Sequence, residues 1–219
     1  MSLRDKSTVC QIVDMVAKII ENSPKANYTL GDILLLVDIV YREGPIGRRS
    51  LIKKLGLGER SLRNLLGKLE RHGIIKRDPI AGVMLSTHVE DVLGEKGLGV
   101  NLSRLTEEEY CVGIAYHKNH ISLSETLKLR DCIIQGFCSK PLIMLVDLSK
   151  TPISISIPGL ERGSAYFSYY ESKLYREKLL EKLGIKAKYV LLALFSAKSF
   201  STVKNCLGIL ASCYCDLIS

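Results

Sequence analysis

The 219-residue sequence lacks an apolar run long enough to cross a membrane. A spanning helix needs roughly 18 or more consecutive apolar residues, whereas YVLLALFSA from Tyr189, the longest candidate, has the length of a strand. The amino-terminal residues MSLRDKST also lack the apolar segment that follows the basic residues of a secretory signal. The sequence therefore predicts a cytoplasmic protein with no membrane attachment.

Metal-binding spacings are missing as well. The chain has seven cysteines and four histidines, but no C-x2-C pair, and His117 and His120 have no cysteine pair at the spacing of a zinc finger. Most cysteines lie within apolar patterns, where a thiol packs like a small hydrophobic side chain. Because no secretory signal is present, we expect reduced cysteines, and we expect neither a metal nor a cofactor.

Catalytic motifs are absent too. The sequence contains no G-x-S-x-G, no P-loop and no H-E-x-x-H. The histidines have no neighbouring acid and nucleophile, and GLGV from Gly97 is too short for a dinucleotide fingerprint and follows no predicted strand. We therefore assign no catalytic residue and predict that the protein is not an enzyme.

Positive charge, by contrast, is present in excess and is concentrated in one stretch. The chain has a formal net charge of +8. Residues 41–80 carry eleven basic and four acidic side chains, a local net charge of +7. This imbalance exceeds what solubility requires and favours a surface that binds nucleic acid. The alternative is a solvated face of two helices.

Leucines and glycines divide the basic stretch into helices and turns. The periodicity predicts helices over residues 7–22, 29–41, 46–55 and 59–72, with the turn Gly56-Leu57-Gly58 before the last of them. The following segment, IIKRDPIAGVMLST, predicts a β-hairpin. The last three helices followed by a hairpin, with a glycine turn before the final helix, have the order of a winged helix-turn-helix.

The leucine face of the last predicted helix would hold its basic face outward, at a width that fits the major groove of double-stranded DNA. The side chains predicted to read base edges are Arg60, Arg63, Asn64 and Lys68. The predicted phosphate contacts are Arg48, Arg49, Lys53, Lys54, Lys76 and Arg77. Glu59 is expected either to stabilise the helix dipole or to accept a hydrogen bond from a cytosine amine.

A glycine-rich segment, EDVLGEKGLGV, separates this region from the second half of the chain. We therefore predict an amino-terminal amphipathic helix (residues 1–26), a DNA-binding domain (27–99) and an α/β domain (100–219). The second half predicts the order β-α-β-β-α-β and a final helix, which matches the ferredoxin-like pattern. The predicted fold class is thus α+β. We expect a homodimer, in which the amino-terminal helix either pairs with its copy or covers the core of its own chain.

Two places in the α/β domain are candidate sites for a small-molecule effector. Arg130 and Asp131 lie between apolar residues of one helix, where a buried structural pair would fit as well as a ligand contact. Adjacent helical residues do not face each other, so each is expected to need its own partner. Ser196, Lys198 and Ser199 follow a buried strand and begin a helix, where backbone N–H groups can hold an anion. An ordinary helix cap is the alternative there.

The basic segment resembles archaeal winged-helix proteins, which are predicted transcriptional regulators with an uncharacterised C-terminal domain. The matching positions are Gly47-Arg48, Leu51, Leu55-Gly56-Leu57-Gly58-Glu59, Leu62-Arg63, Leu66 and Leu69. In the second half, LRDCIIQGF from Leu129, SIPG from Ser156 and FSAKSFSTVKNCLGILAS from Phe195 are similar to segments of that family. The chain departs from the family pattern after the hairpin, at Leu85-Ser86-Thr87-His88.

The resemblance implies a regulator whose winged helix binds DNA and whose second domain binds an effector or mediates dimerisation. The sequence thus predicts a sequence-specific transcriptional regulator. The alternative is a winged helix that docks on a protein or an RNA and is attached to a ligand-binding or enzymatic α/β domain.

Overall fold

The structure is a computed structural model that describes residues 7–22, 26–116, 122–136, 141–176, 178–185 and 187–218. Over these residues the chain forms helices and an antiparallel sheet, which confirms the predicted α+β fold class. No helix in this described part is both long and apolar enough to cross a membrane.

The first half of the chain consists of helices and one short hairpin. Its elements are α1 (Thr8–Glu21), α2 (Leu30–Glu43), α3 (Arg48–Leu55), α4 (Glu59–Arg71), β1 (Ile75–Asp78), β2 (Gly82–Leu85) and α5 (Thr87–Leu93). Thr29 and Asp32 form a capping box that begins α2. Gly56 ends α3 with φ +61°, a left-handed conformation that glycine adopts readily. The helices and the hairpin therefore follow one another in the predicted order.

The hairpin is tied to the segment between α2 and α3. Strands β1 and β2 pair antiparallel, from Ile75 opposite Leu85 to Asp78 opposite Gly82. Ile46 exchanges two backbone hydrogen bonds of 2.9 Å with Val83 in β2. This bridge fixes the hairpin beside the start of α3.

The second half forms a five-stranded antiparallel sheet with helices on both faces. After a 3-10 turn (Gly94–Lys96), its elements are β3 (Val100–Arg104), β4 (Glu109–Tyr116), α6 (Leu123–Gln135), β5 (Leu142–Asp147), β6 (Ser154–Ser156), α7 (Ala165–Arg176), α8 (Leu179–Leu183), β7 (Tyr189–Ser196) and α9 (Phe200–Ile218). The strand order is β3-β4-β7-β5-β6.

The ferredoxin-like prediction is wrong in its strand order. The predicted succession of elements runs from β4 to β7, with α8 as an extra helix. A ferredoxin-like sheet places the third strand of that succession between the first and second, whereas here β7, the fourth, pairs with both β4 and β5. Residues 190–195 of β7 are all buried, as expected of a central strand covered on both faces. The sheet also gains β3, which the sequence analysis had not identified.

The two faces of the sheet carry two hydrophobic clusters. Leu191 and Ala193 of β7 face the larger cluster, which contains side chains of α1 to α5, α6 and α9. Leu192 and Leu194 face the smaller cluster, formed with α7 and α8. The larger cluster runs without interruption across the predicted domain boundary at Gly99. The predicted division into residues 1–26, 27–99 and 100–219 thus stays a prediction. The three segments share the hydrophobic core on this face of the sheet.

Helix α9 is the element that joins the two halves. It crosses α2 where Gly31 meets Gly208, so closely that a Cβ on Gly31 would lie 1.6 Å from the Lys204 carbonyl oxygen. The buried Lys204 Nζ lies 2.5 Å from Asp32 Oδ1 in α2. It also donates a 2.6 Å hydrogen bond to the Leu55 carbonyl oxygen at the end of α3. A side chain of the second half thus stabilises two helices of the first.

Two disulfides attach α9 to other helices, so the expectation of reduced cysteines is wrong for these four residues. Cys10 of α1 pairs with Cys215, and Cys132 of α6 pairs with Cys213. Their Cα atoms lie 5.3 and 6.0 Å apart, within the range a disulfide needs. The expectation rested on the absence of a secretory signal. The local sequence gives no sign of contacts between cysteines that are 205 and 81 positions apart.

The amino-terminal helix covers the core of its own chain, the second of its two predicted roles. Val9, Ile12, Val16 and Ile19 of α1 are buried, and α1 contacts α2, α4, α5 and α9. The apolar face that was one candidate for dimerisation is therefore already occupied within the chain.

Candidate nucleic-acid interface

Helix α4 separates an apolar face from a polar one. Its leucines at positions 62, 65, 66 and 69 are at most 2% exposed and belong to the larger hydrophobic cluster. Arg60, Arg63 and Asn64 lie on the exposed face. Because four buried side chains fix the rotation of α4 about its axis, its polar face points in a fixed direction. The predicted division between core-facing and outward residues of this helix is confirmed for the leucines and for Arg60, Arg63 and Asn64, whereas Lys68 is only half-exposed.

We define the basic surface as the ten residues predicted to contact DNA: Arg48, Arg49, Lys53, Lys54, Arg60, Arg63, Asn64, Lys68, Lys76 and Arg77. Nine of them are exposed, and Lys68 is half-buried. They come from α3, α4 and β1. The Nζ atom of Lys68 lies 5.7 Å from the centre of the Tyr28 ring, a cation–π contact that draws this lysine toward the core.

Several cations of the basic surface are held by carboxylates. Arg63 Nη2 lies 2.9 Å and Arg48 Nη2 3.6 Å from Glu59 Oε1, so one carboxylate links α3 to α4. Lys54 pairs with Glu43 at 2.8 Å. The role of Glu59 as a partner of two arginines was not among the roles predicted for it. Exposed pairs of this kind contribute only about 0–1 kcal/mol each, so a phosphate can replace the carboxylate.

On the hairpin, Arg77 is the residue most firmly held. It donates hydrogen bonds from Nε and Nη2 to Glu70 Oε2 of α4, and this contact lowers the pKa of the Glu70 carboxyl. Lys76 Nζ donates a long 3.5 Å hydrogen bond to Thr87 Oγ1. The pair of Arg77 and Glu70 ties the hairpin to α4 and so fixes the position of one element against the other.

Four members of the basic surface have open polar groups. Arg49, Lys53, Arg60 and Asn64 are exposed and make no side-chain hydrogen bond or ion pair with any residue that the structure describes. Two of them lie on α3 and two on α4. These side chains can contact a ligand without first breaking a contact within the protein.

A groove of about 640 Å³ runs between the start of α3, α4 and the hairpin. Its lining residues are Gly47, Arg48, Arg49, Arg63, Leu66, Glu70, Arg77, Asp78, Pro79, Ile80, Gly82 and Val83. Arginines of three different elements therefore border one concave surface. These arginines lie on separate predicted elements. The bridge between Ile46 and Val83 joins the start of α3 to the hairpin, and the pair of Arg77 and Glu70 joins the hairpin to α4.

The tip of the hairpin is closed by hydrogen bonds and carries an exposed apolar side chain, a feature that was not predicted. Asp78 Oδ1 accepts hydrogen bonds of 2.8 and 2.7 Å from the N–H groups of Ile80 and Ala81, and these bonds lower the pKa of Asp78. The Ile80 side chain is 98% exposed. An apolar residue directly after an Asp-Pro turn was the available signal.

The predicted effector residues Arg130 and Asp131 bind each other, so the expectation of separate partners is wrong. Arg130 donates from Nε and Nη2 to Asp131 Oδ1, at 3.1 and 2.9 Å, and both side chains are exposed. The rule against neighbouring contacts concerns the Cβ directions, and a long arginine side chain can fold back over the helix surface. This pair satisfies itself and needs no ligand.

The second predicted effector segment forms an ordinary cap. Ser199 Oγ accepts a 3.2 Å hydrogen bond from the N–H of Thr202, at the start of α9. Ser196, Lys198 and Ser199 are all exposed. The segment lies close to the turn between α3 and α4, since a Cβ on Gly56 would be 3.8 Å from Phe200. The alternative of a helix cap thus describes the geometry of Ser199.

A cavity that the sequence analysis missed lies where the two halves meet. It has a volume of about 230 Å³. Its lining residues are Asp38, Tyr41, Arg42, Glu95, Lys96, Gly97, Leu98, Gly99, Val100, Gly184 and Ile185. Burial raises the pKa of Asp38 to about 6, while the adjacent Arg42 opposes this shift. The signal for this site was an aspartate in the middle of the apolar segment ILLLVDIV.

Metal-binding and thiol chemistry have no evident site in the part of the chain that is described. No three His, Cys, Asp or Glu side chains there are placed to hold a metal ion; His117 and His120 lie outside the described residues. Cys111 lies in β4, and burial raises the pKa of its thiol to about 12. A thiol with so high a pKa is a poor nucleophile.

No protein-family model matches the chain, and no curated protein matches it. Among solved structures, the chain is similar to the hypothetical protein PH0730 from Pyrococcus horikoshii OT3, with a TM-score of 0.54 and 20% sequence identity. The similarity covers 84% of this chain and 91% of that chain. At this identity the similarity concerns the fold alone and assigns no activity.

Proposed function

We propose that the chain is a sequence-specific transcriptional regulator that binds double-stranded DNA. In this proposal α2, α3, α4 and the β1–β2 hairpin form a winged helix-turn-helix. Helix α4 enters the major groove, and the hairpin lies along the neighbouring phosphates. The region from β3 to α9 responds to a small effector.

The fixed direction of the exposed face of α4 is the observation that supports this proposal most. Its leucines are fully buried, and its Arg60, Arg63 and Asn64 lie outward beside the arginine-bordered groove. An α-helix fits the major groove, where arginine recognises guanine and asparagine recognises adenine. A helix held against rotation presents those side chains to the same bases in every complex.

The residues of the basic surface fall into two groups with different tasks in this proposal. Arg60 and Asn64, which have no partner among the described residues, contact base edges. Arg49 and Lys53, equally open, contact phosphates together with the cations that carboxylates hold in the free protein. Phosphate contacts release counterions, so the affinity should fall steeply with added salt.

The two disulfides are compatible with a cytoplasmic regulator. Disulfides are rare in the cytosol of most organisms, but intracellular proteins of hyperthermophilic archaea are rich in them. The resemblance to archaeal proteins and a cytoplasmic location can therefore both stand beside Cys10–Cys215 and Cys132–Cys213. Both remain parts of the proposal.

Selection of bound sequences from a random duplex pool, with the purified full-length protein, tests the proposal. We expect a distinct motif, and a palindromic motif would support the homodimer. Arg60→Ala and Asn64→Ala should each lose about 1–3 kcal/mol of preference for the selected sequence. Lys53→Ala should weaken binding to all sequences equally and reduce the salt dependence. Lys128→Ala, which removes an exposed cation of α6, is the matched control.

Three results would contradict the proposal. If all duplexes bind alike, only phosphates are contacted, and α4 reads no bases. If the selected motif survives in Arg60→Ala and in Asn64→Ala, another surface reads the DNA. If no duplex binds at low salt, the basic surface has a different partner, and the alternative of docking on a protein or an RNA replaces ours.

A further inference from the structure

We propose that the cavity between α2 and the α/β region binds a free α-amino acid, whose ammonium group contacts Asp38 and whose carboxylate contacts Arg42. We call this space the junction cavity; its lining residues are those given above. The proposal that the amino acid binds depends only on the structure of this cavity. The regulatory consequence of binding rests on the proposed DNA-binding function.

Asp38 provides the anionic half of the site. The whole residue is 7% exposed and its side chain 11% exposed, so the carboxylate is largely shielded from solvent. Its contacts with described side chains all go to Oδ1, which accepts a 3.0 Å hydrogen bond from Arg42 Nε. Oδ2 has no such partner, although Asp38 lines the cavity. An ammonium group in the cavity would give this open oxygen a charge-assisted hydrogen bond.

Arg42 provides the cationic half. Its Nε is used by Asp38, while its two terminal nitrogens make no contact with any side chain in the described part of the chain. Those nitrogens form the planar fork that binds a carboxylate through two parallel hydrogen bonds. Asp38 and Arg42 are therefore adjacent groups of opposite charge, each with open hydrogen-bonding capacity, as a zwitterion requires.

The other polar groups at the cavity are consistent with this ligand. The Tyr41 hydroxyl is already used, since it donates a 2.8 Å hydrogen bond to the Gly94 carbonyl oxygen. Glu95 and Lys96 line the cavity as an exposed pair of opposite charges, so they add no net charge. The site thus has one open carboxylate oxygen and one open guanidinium fork, which favours a zwitterion over a simple anion or cation.

The walls limit the ligand to a small, apolar side chain. Leu98, Val100 and Ile185 supply apolar surface. The volume of about 230 Å³ lies below the roughly 300–1,000 Å³ of most ligand pockets. Gly97 cannot carry a side chain, because a Cβ there would lie 2.8 Å from the Tyr41 ring. We therefore expect a small aliphatic amino acid rather than an aromatic or a long charged one.

The position of the cavity connects it to the basic surface. Its residues 38–42 belong to α2, and its residues 184 and 185 follow α8 in the other half. Helix α2 leads directly into the Ile46 bridge that fixes the hairpin. A ligand held between the halves would therefore change the freedom of α2 and of the hairpin together.

Isothermal titration of the full-length protein with each of the twenty free amino acids tests the binding. We expect one or a few small aliphatic amino acids to bind. Asp38→Asn should weaken that binding by about 10- to 100-fold, because a charge-assisted hydrogen bond is lost. Ile185→Trp, which fills the cavity and leaves both charges in place, should abolish it. Glu90→Gln, a change of an exposed acid on α5, should leave it unchanged.

Methylamine and acetate serve as half-ligands in the same titration. Each should bind far more weakly than the amino acid, because each contacts only Asp38 or only Arg42. Three results would overturn the proposal: no amino acid binds at millimolar concentration, Asp38→Asn or Ile185→Trp binds like the wild type, or methylamine alone binds as tightly. Because the titration contains no DNA, its failure is distinct from a failure of the DNA-binding proposal.

Discussion

Two regions of the molecule contain ion pairs between a basic side chain and a carboxylate, but the exposure of these pairs to solvent differs. On the basic surface, Lys54 with Glu43 and Arg63 with Glu59 form ion pairs whose side chains are roughly half exposed. Between α9 and α2, Lys204 and Asp32 form an ion pair with side chains only 5% and 3% exposed. The exposed pairs are exchangeable for other anions, whereas the buried pair is fixed by the fold. Each pair joins a basic side chain to a carboxylate, so solvent access is what separates an exchangeable pair from a fixed one.

The sharpest test of this contrast removes Lys204. Lys204→Met should lower the free energy of unfolding by about 3–5 kcal/mol, because the Asp32 carboxylate would stay buried without its cation. Lys54→Ala should lower it by less than about 1 kcal/mol. Urea unfolding of both variants at pH 7 measures the difference. Equal losses would show that burial does not distinguish the two pairs.

The disulfide that attaches α9 to α1 gives the next largest effect. Cys215→Ala should lower the free energy of unfolding by about 3 kcal/mol, because Cys10–Cys215 closes a long loop in the unfolded chain. Reduction of the wild type should produce a loss at least as large, since it also opens Cys132–Cys213. An unfolding midpoint that does not change on reduction would contradict this expectation.

Asp38 gives a pH-dependent test of burial without a full partner. Its folded-state pKa of about 6 exceeds the ordinary value of 3.8, so the folded state binds the proton more tightly than the unfolded state. Its contribution to stability is therefore present below pH 4 and is lost as the pH rises toward 6. Asp38→Asn should remove about 2–3 kcal/mol of decline between pH 4 and pH 7. Urea unfolding at both pH values, compared with Glu90→Gln, measures this. If the free energy of unfolding of Asp38→Asn falls between pH 4 and pH 7 as much as that of the wild type, the result would contradict the burial of the Asp38 charge.

The smallest effect on stability is expected on the basic surface itself. Glu59→Gln should change the free energy of unfolding by less than about 1 kcal/mol, because both of its ion pairs are exposed. If the basic surface binds DNA, the same change should tighten that binding, since it frees Arg48 and Arg63 and removes a negative charge. Titration of a labelled duplex measures the affinity. A weaker affinity would indicate that Glu59 itself contacts the DNA.

Local patterns in the sequence were sufficient to predict the elements of the first half. The spacing of Leu62, Leu66 and Leu69 defined the buried face of α4, and Gly56 defined the turn before it. Both signals act within one or two helical turns. The outward direction of Arg60 and Asn64 followed from the same spacing.

Contacts between distant parts of the chain could not be predicted in this way. Local sequence gives no information on which distant residues pair. It therefore could not predict the strand order, the bridge from Ile46 to Val83 or the two disulfides. The junction cavity has the same origin, since its walls come from α2, the glycine-rich segment and the end of α8. Asp38 in an apolar helix was the one local sign of it.

The crossing of α9 over α2 has a consequence for synthesis in the cell. Lys204 contacts the end of α3 across 149 residues of sequence, and Cys215 reaches Cys10 across 205. A nascent chain that has emerged from the ribosome only as far as the hairpin therefore lacks part of the support for α2 and α3. Helices α2 and α3 lack these contacts until residues near 204 have been translated. If the basic surface binds DNA, an incomplete chain should therefore bind it weakly.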